Sequence, residues 1–434
     1  MSLDGTQLTP ILDLLNVPTE FSRLGRDGDP IIISRLNEWK TTTSKALLDL
    51  RACIETNQNL PFDILVRTVA VTAVFDGSDS WLDDELRNNT NDVFQTLPPC
   101  SRAVVESVLK VHLKPIFLSS PHPSLNPETG RKASRAAGGP MAVNDYYEDQ
   151  VWKHYPAAGN VLSWCIRHTS VDDYEYLWPL IIPPVMTFLD DYQAVYKLKG
   201  VKLVSEMLAN VPKMLLKRTG VDQLLYTSLS ITLSHLHDEH TPVLVRTTVP
   251  TILRLIELTT APDSAERFDK QCALLGEKII GGVWSYAAKD EDTIVASLDV
   301  IPMVLKSLGI GSIRYLKALV PQCLHCLGLT PETPVNPDMQ SPALTLLGVV
   351  IDECQPRMHR WKGTIIEGVC KYWVNAVDSG TANTDKEICV RDVFRRLSNA
   401  CPSIEKDEYA RLLKEDVDMF GPILLVSVSA IVIE

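Results

Sequence analysis

Three short stretches hold most of the residues that could do chemistry. Asp190 and Asp191 stand side by side between the apolar runs Val185-Met-Thr-Phe-Leu189 and Val201-Lys-Leu-Val204, with Lys197, Lys199 and Lys202 close behind. Cys323-Leu-His-Cys326 is a C-x-x-C pair, and His235-Leu-His-Asp-Glu-His240 packs three histidines and two acids into six residues. Paired carboxylates can divide acid and base roles when their surroundings push their pKa values apart. Adjacent residues, however, supply neither opposed geometry nor a pocket. A structural zinc site takes four ligands, usually two cysteine pairs, and the chain has only one C-x-x-C. A redox pair favours the start of a helix, where the dipole lowers the thiol pKa. This pair lies deep in a helical pattern that ends at Leu327, which favours buried structural thiols. His235 and His240 are five residues apart, not the four that put two ligands on one helix face. They fall in an inter-helix loop. A metal-dependent enzyme using these histidines is therefore the weakest of the functional readings. No phosphate-cradling G-x-x-x-x-G-K-[ST], no G-x-G-x-x-G and no G-x-S-x-G occurs, so catalytic and cofactor-binding residues are expected to be none, and cofactors none.

What must position these residues is legible from hydrophobic spacing. Apolar residues recur three and four apart in Val104, Val108, Leu109 and Leu113, again in Val201, Val204, Met207, Leu208 and Val211, and again in Val249, Ile252, Leu253 and Ile256. That spacing predicts amphipathic helices, and an all-α protein. The helices come in pairs: Leu177 to Leu189 with Gln193 to Leu208, Leu224 to Leu236 with Val243 to Leu258, and Thr293 to Leu308 with Ser312 to Leu327. Such units, repeated every few tens of residues, predict a HEAT- or armadillo-like helical-repeat solenoid, because one pair cannot bury its apolar faces alone. Pro183, Pro184, Pro250, Pro302 and Pro321 sit among aliphatics, where they either bend helices or mark helix starts.

Bulk properties narrow the partners. The chain has 434 residues, a net charge of -12 and 45% hydrophobic residues, the composition of a folded soluble protein. An acidic chain lacks the clustered Lys and Arg of a nucleic-acid binder, and no polybasic patch suits an anionic membrane. The start, MSLDGTQLTPILDLL, lacks the features of a secretory signal. The apolar run Ile423 to Ile433 is shorter than a bilayer span. Ten scattered cysteines fit a reducing compartment, so the expected location is cytoplasmic, with nuclear access left open.

The expected organisation is an N-terminal helical region over 1–118, a flexible loop over 119–144, a helical-repeat domain over 145–418 and an atypical apolar tail over 419–434. The loop, SSPHPSLNPETGRKASRAAGGPMAVN, is too poor in large apolar residues to order itself, and Arg131, Lys132 and Arg135 give it a basic spot around Ser134. The end, ILLVSVSAIVIE, has the β-branched bias of a strand.

Counted from Asp191, the fifth residue on is Tyr196, the sixth Lys197 and the ninth Gly200. HEAT repeats show an acid, an apolar residue, a basic residue and a small residue at those places. Asp190 and Asp191 then belong to the turn of a repeat, where a carboxylate can meet free N–H groups and the positive end of the next helix. The block Leu189 to Leu203 is moreover similar to the central D-Y-x-x-x-Y-K-x-x-G motif of the TELO-two-interacting protein two family. Glu148-Asp-Gln-Val-Trp-Lys153 with Pro156 and Val161-Leu-Ser-Trp-Cys165 resembles a second block of that family, and Glu353 to Lys362 with Trp373 a third.

The resemblance implies a non-enzymatic HEAT-like subunit of the three-protein Triple-T co-chaperone complex. Its direct partner would be TELO-two-interacting protein one, with telomere maintenance protein two in the same complex. Through them it would support phosphatidylinositol-three-kinase-related kinases together with the heat-shock-ninety machinery, and so act on DNA-damage signalling, telomere maintenance and nutrient-dependent growth. The alternative in the same class is a generic HEAT adaptor for transport or for a phosphatase. Tyr192, Tyr196, Lys197, Gly200 and Trp373 match as structural positions, while Arg357, Trp361 and Lys362 are the candidates for partner contact, since Trp and Arg are enriched at binding hot spots.

Overall fold

The computed structural model describes residues 8–23, 30–56, 60–118, 121–133, 150–328 and 336–425. Among these the fold is all-α, of the helical-repeat solenoid class. The only β feature among the described residues is one antiparallel bridge between Leu125 and Lys132. The chain divides into two compact units, Met1–Ser228 and Leu229–Glu434.

In the second unit the repeat is plain. The helices Thr241–Thr259, Glu291–Leu308, Gln340–Glu353 and Thr384–Ala400 each pack on the next, and Thr384–Ala400 packs in turn on Val417–Leu424. Glu291–Leu308, in the middle, buries Ile294, Leu298, Ile301, Val304 and Leu305 between its two neighbours. Several helices open on side-chain caps: Asp290 accepts from Thr293 N, Asn383 from Lys386 N and Asp416 from Met419 N. Each satisfies a backbone N–H that the first turn leaves free.

The prolines lie inside helices. Pro183 and Pro184 fall within Tyr174–Leu189, Pro250 within Thr241–Thr259, Pro302 within Glu291–Leu308 and Pro321 within Leu316–His325. In the first of these, Thr187 Oγ1 donates to Pro183 O at 3.0 Å. By length and composition alone the stretch Glu291–His325 could cross a bilayer, but half of its apolar window is buried in the unit.

In the first unit, Leu12, Leu47, Leu50, Phe75 and Trp81 form a core under the helices Leu8–Leu14, Pro30–Thr56 and Asp84–Thr96. Beside it, the helix Ala194–Asn210 packs on both Tyr174–Leu189 and Ala158–Arg167.

One expectation needs correction over part of its length. The segment read as a flexible loop is held in place over 121–133: Trp178 Nε1 donates to Gly130 O at 2.9 Å, and Lys132 N to Thr219 O at 2.9 Å. Local backbone bonds, such as Ala133 N to Ser124 O, and these two bonds to distant residues hold a segment that buries few large apolar side chains. Ser134 and Arg135 lie outside the described residues. Of the strand-like end over 423–434 only 423–425 are described, and there the helix Val417–Leu424 runs out. Val417–Leu424 is capped by Asp416 and tied down by Trp373 Nε1, which donates to Met419 O, and by Arg391, which donates to Pro422 O. Residues 426–434 lie outside the described set.

Candidate functional site

The paired acids sit between two tightly apposed helices, and a glycine makes the approach possible. A Cβ on Gly200 would lie 2.3 Å from Leu189 N. No side chain at 200 fits without separating the helices. With the backbones that close, the connection Asp190–Gln193 is forced into a short turn, and Asp191 Oδ1 stabilises it by accepting from Gln193 N at 2.8 Å. This is an Asx turn, begun two residues ahead of the helix cap at Gln193, whose own side chain makes no cap bond.

Asp191 is 0% exposed, so its charge needs a partner. Lys153 provides one, its Nζ lying 2.8 Å from Asp191 Oδ2 as an ion pair without hydrogen-bond alignment. The Lys153 ammonium also lies over the rings of Tyr192 at 4.3 Å and Tyr196 at 5.1 Å. Cation–π contacts of this kind contribute roughly 0.5–2 kcal/mol. Under them Trp152, 1% exposed, meets Phe188 at 4.8 Å and Tyr196 at 4.9 Å, both edge-on. Lys197 is buried and donates to Leu189 O at 3.0 Å, the last carbonyl of the preceding helix. Burial holds the Lys197 pKa below that of an ordinary lysine, against the pull of Asp190 and Asp191. Burial first, and Asp191 second, push the Tyr196 phenol up. Asp190 turns the other way, 2.9 Å from His122 Nε2 in the pinned segment.

A second set of polar contacts continues from this turn. Lys199 Nζ reaches Asp79 at 2.6 Å, and Asn160 Nδ2 donates to Asp79 Oδ2 and Val74 O, both at 2.8 Å. Ser163 donates to Glu206, and Arg167 pairs with Asp76. The motif residues thus tie the helix Ala194–Asn210 to three other segments. Sequence reasoning missed Lys153, Lys199, Asp79 and His122 as partners. A buried acid demands a cation, but the sequence does not say which of many lysines folds back to it.

Chemically this arrangement is closed. Asp191 faces its own turn and Lys153, while Asp190 faces His122. The described depression of about 430 Å³ lies in the other unit, beside His237, Glu277 and Lys278. Cys323 and Cys326 are both buried, Cys323 in the last turn of the helix Leu316–His325 and Cys326 at its cap, and burial pushes the Cys326 thiol up to about 11. Neither has the lowered pKa of a reactive thiol. The histidine loop is knit by its own backbone, with Asp238 accepting from His240 N at 2.9 Å and Thr241 Oγ1 accepting from Asp238 N at 3.0 Å. No group of three or more His, Cys, Asp or Glu residues positioned to hold a metal ion occurs among the described residues.

Trp373 is 4% exposed and hydrogen-bonded to Met419 O. Arg357 is exposed, whereas Trp361 and Lys362 are half-buried, and Lys362 Nζ is paired with Glu408 at 2.5 Å.

Fold and site together define a helical-repeat protein whose most distinctive residues are spent on holding helices together. The model of the Tti2 family matches residues 68–330, more than half of the chain, and the chain belongs to that family. Two of the three motif blocks lie inside the match; the block from Glu353 to Trp373 lies beyond it. TELO2-interacting protein 2 of Rattus norvegicus is 25% identical over 196 residues, 44% of this chain and 37% of the rat protein. The Mus musculus protein of the same name is 24% identical over 240 residues, 54% of this chain and 45% of its own length. The matched part of the chain thus spans less than half the length of these curated relatives. No solved structure matches.

Proposed function

We propose that this protein is a non-enzymatic scaffold subunit of a Triple-T-type co-chaperone assembly. It binds the larger helical protein TELO-two-interacting protein one, stands with telomere maintenance protein two in the same complex, and supports the maturation of phosphatidylinositol-three-kinase-related kinases with the heat-shock-ninety machinery. The observation that carries this reading is the family match over residues 68–330. The sealed acid turn supports the non-enzymatic part, since its charges are consumed within the chain. The rat and mouse relatives are named for interaction with TELO2, which agrees with a role in assembly. In this reading the complex works in the cytoplasm, with access to the nucleus.

The test is affinity purification of the tagged full chain from cells, with the bound proteins identified by mass spectrometry. Recovery of the larger helical partner and of kinases of this class is the expected result. Reproducible absence of both overturns the proposal, and fractionation of the same cells checks the location.

A further inference from the structure

The second unit carries a turn that is the opposite of the sealed one. Gln355–Arg360 is a 3-10 helix, anchored by Met358 at 0% exposure and by Trp361 N, which donates to Met358 O at 2.9 Å. In a 3-10 helix residues three apart eclipse one another, about 6 Å apart along the axis. Arg357 and Arg360 therefore share one face. Both are exposed, as is His359 between them.

Among the described residues neither guanidinium has a carboxylate or carbonyl partner, whereas several other arginines of this unit are engaged. Arg246 pairs with Asp299, Arg396 with Asp352 and Asp392, and Arg267 with three backbone and hydroxyl oxygens. Glu353, four residues before Arg357, forms no ion pair with it. The acid nearest in the fold to the following residue, Glu408, is taken up by Lys362. Trp361 adds a half-buried indole whose N–H makes no hydrogen bond among the described residues. Two guanidiniums on one face of the turn, with an indole next in the chain, suit bidentate recognition of carboxylates or phosphates.

We infer that the Arg357–Trp361 turn is a docking surface for a short acidic segment of a partner protein, Arg357 and Arg360 taking its anionic groups and Trp361 an adjacent apolar side chain. Charge decides between partners. The chain is acidic overall, at -12, and a membrane or nucleic acid would bring a broad anionic surface against it. A short segment meets only the local field, because screening at physiological salt acts over about 8 Å. Lys362 is a positioning residue here. By neutralising Glu408 it keeps the turn cationic.

This inference rests on the reading that the chain works by protein contact, and the two can fail separately. The probe is a fluorescein-labelled peptide of alternating glutamate and leucine, with its lysine counterpart as control, titrated into the full chain and followed by anisotropy. Binding of the glutamate peptide alone, weakened at least tenfold by R357E/R360E and weakened by added salt, is the expected result. K213E/K217E makes the same charge change at exposed lysines elsewhere and should leave binding within twofold. Equal loss in both double variants, no binding by the wild-type chain, or equal competition by anionic vesicles or duplex DNA overturns the inference. An unchanged melting temperature for R357E/R360E ties a loss of binding to the surface. If wild type and R357E/R360E recover the large helical partner equally from cells, the docking surface fails and the assembly role stands. If wild type recovers nothing, the assembly role fails and the peptide titration alone judges the surface.

Discussion

The turn at Asp190–Asp191 and the turn at Arg357–Trp361 are alike in sequence, each a few charged residues with aromatics next to them, and opposite in the fold. In the first, a glycine lets two helix backbones touch, the acids are drawn inward, and every charge finds a partner within the chain. In the second, one buried methionine anchors a 3-10 turn and the cations are left in solvent. Charge near aromatics is therefore not by itself a signature of chemistry or of binding. What separates the two cases is whether the neighbouring backbone comes close enough to bury the charge, and burial then requires pairing.

Substitutions should keep the two turns apart in both stability and binding. The largest effect is expected at Gly200: Gly200→Val places carbon into the backbone of Leu189 and should cost more than about 4 kcal/mol, seen as loss of soluble chain or a collapsed urea midpoint. A folded variant within about 1 kcal/mol of wild type would mean that the helices are not locked there. Next comes Asp191→Asn, which keeps the turn's acceptor but strands Lys153 beside an amide. A loss of about 3 kcal/mol by urea unfolding is expected. R357E/R360E, by contrast, should leave stability within about 0.5 kcal/mol, as exposed substitutions do, and act on binding alone.

Alkaline pH should sharpen the same contrast. The folded Tyr196 phenol titrates above the ordinary 10.0, so as pH rises past that value the unfolded chain gives up its proton first and stability falls. The buried Cys165 and Cys323 thiols act in the same sense from above their ordinary 9.0. Lys197, with its pKa lowered, works the other way below 10.5. Comparing Tyr196→Phe with wild type isolates the phenol: the variant should lose less stability between pH 9 and pH 11, read as urea midpoints. An identical slope would show that the ring is not enclosed. A small effect is also expected for Asp190→Asn, whose amide can still meet His122, with less than about 1 kcal/mol lost.

Much of the fold was legible because period-3.6 patterning reports helices directly: Thr293 to Leu308 was read and Glu291–Leu308 is observed. The second helix of that pair was read from Ser312, but Gly309–Tyr315 is 3-10 and the α-helix begins at Leu316. Periodicity does not distinguish the two windings over so short a stretch. The order of 121–133 was not legible, since it comes from hydrogen bonds to Trp178 and Thr219, far away in sequence. At the acid turn, spacing placed Tyr196, Lys197 and Gly200 on one helix. The closeness of Gly200 to Leu189 and the arrival of Lys153 are tertiary facts. The shared face of Arg357 and Arg360 was likewise hidden until the winding of the turn was known.

The most direct test of the central claim is the amount of large helical partner recovered per folded molecule by Asp191→Asn and by wild type, with folded chain quantified by circular dichroism in the same preparations. If the buried acid serves only the frame, the variant yields less folded chain but the same partner per folded molecule. A variant that folds in normal amount and recovers no partner would contradict the account.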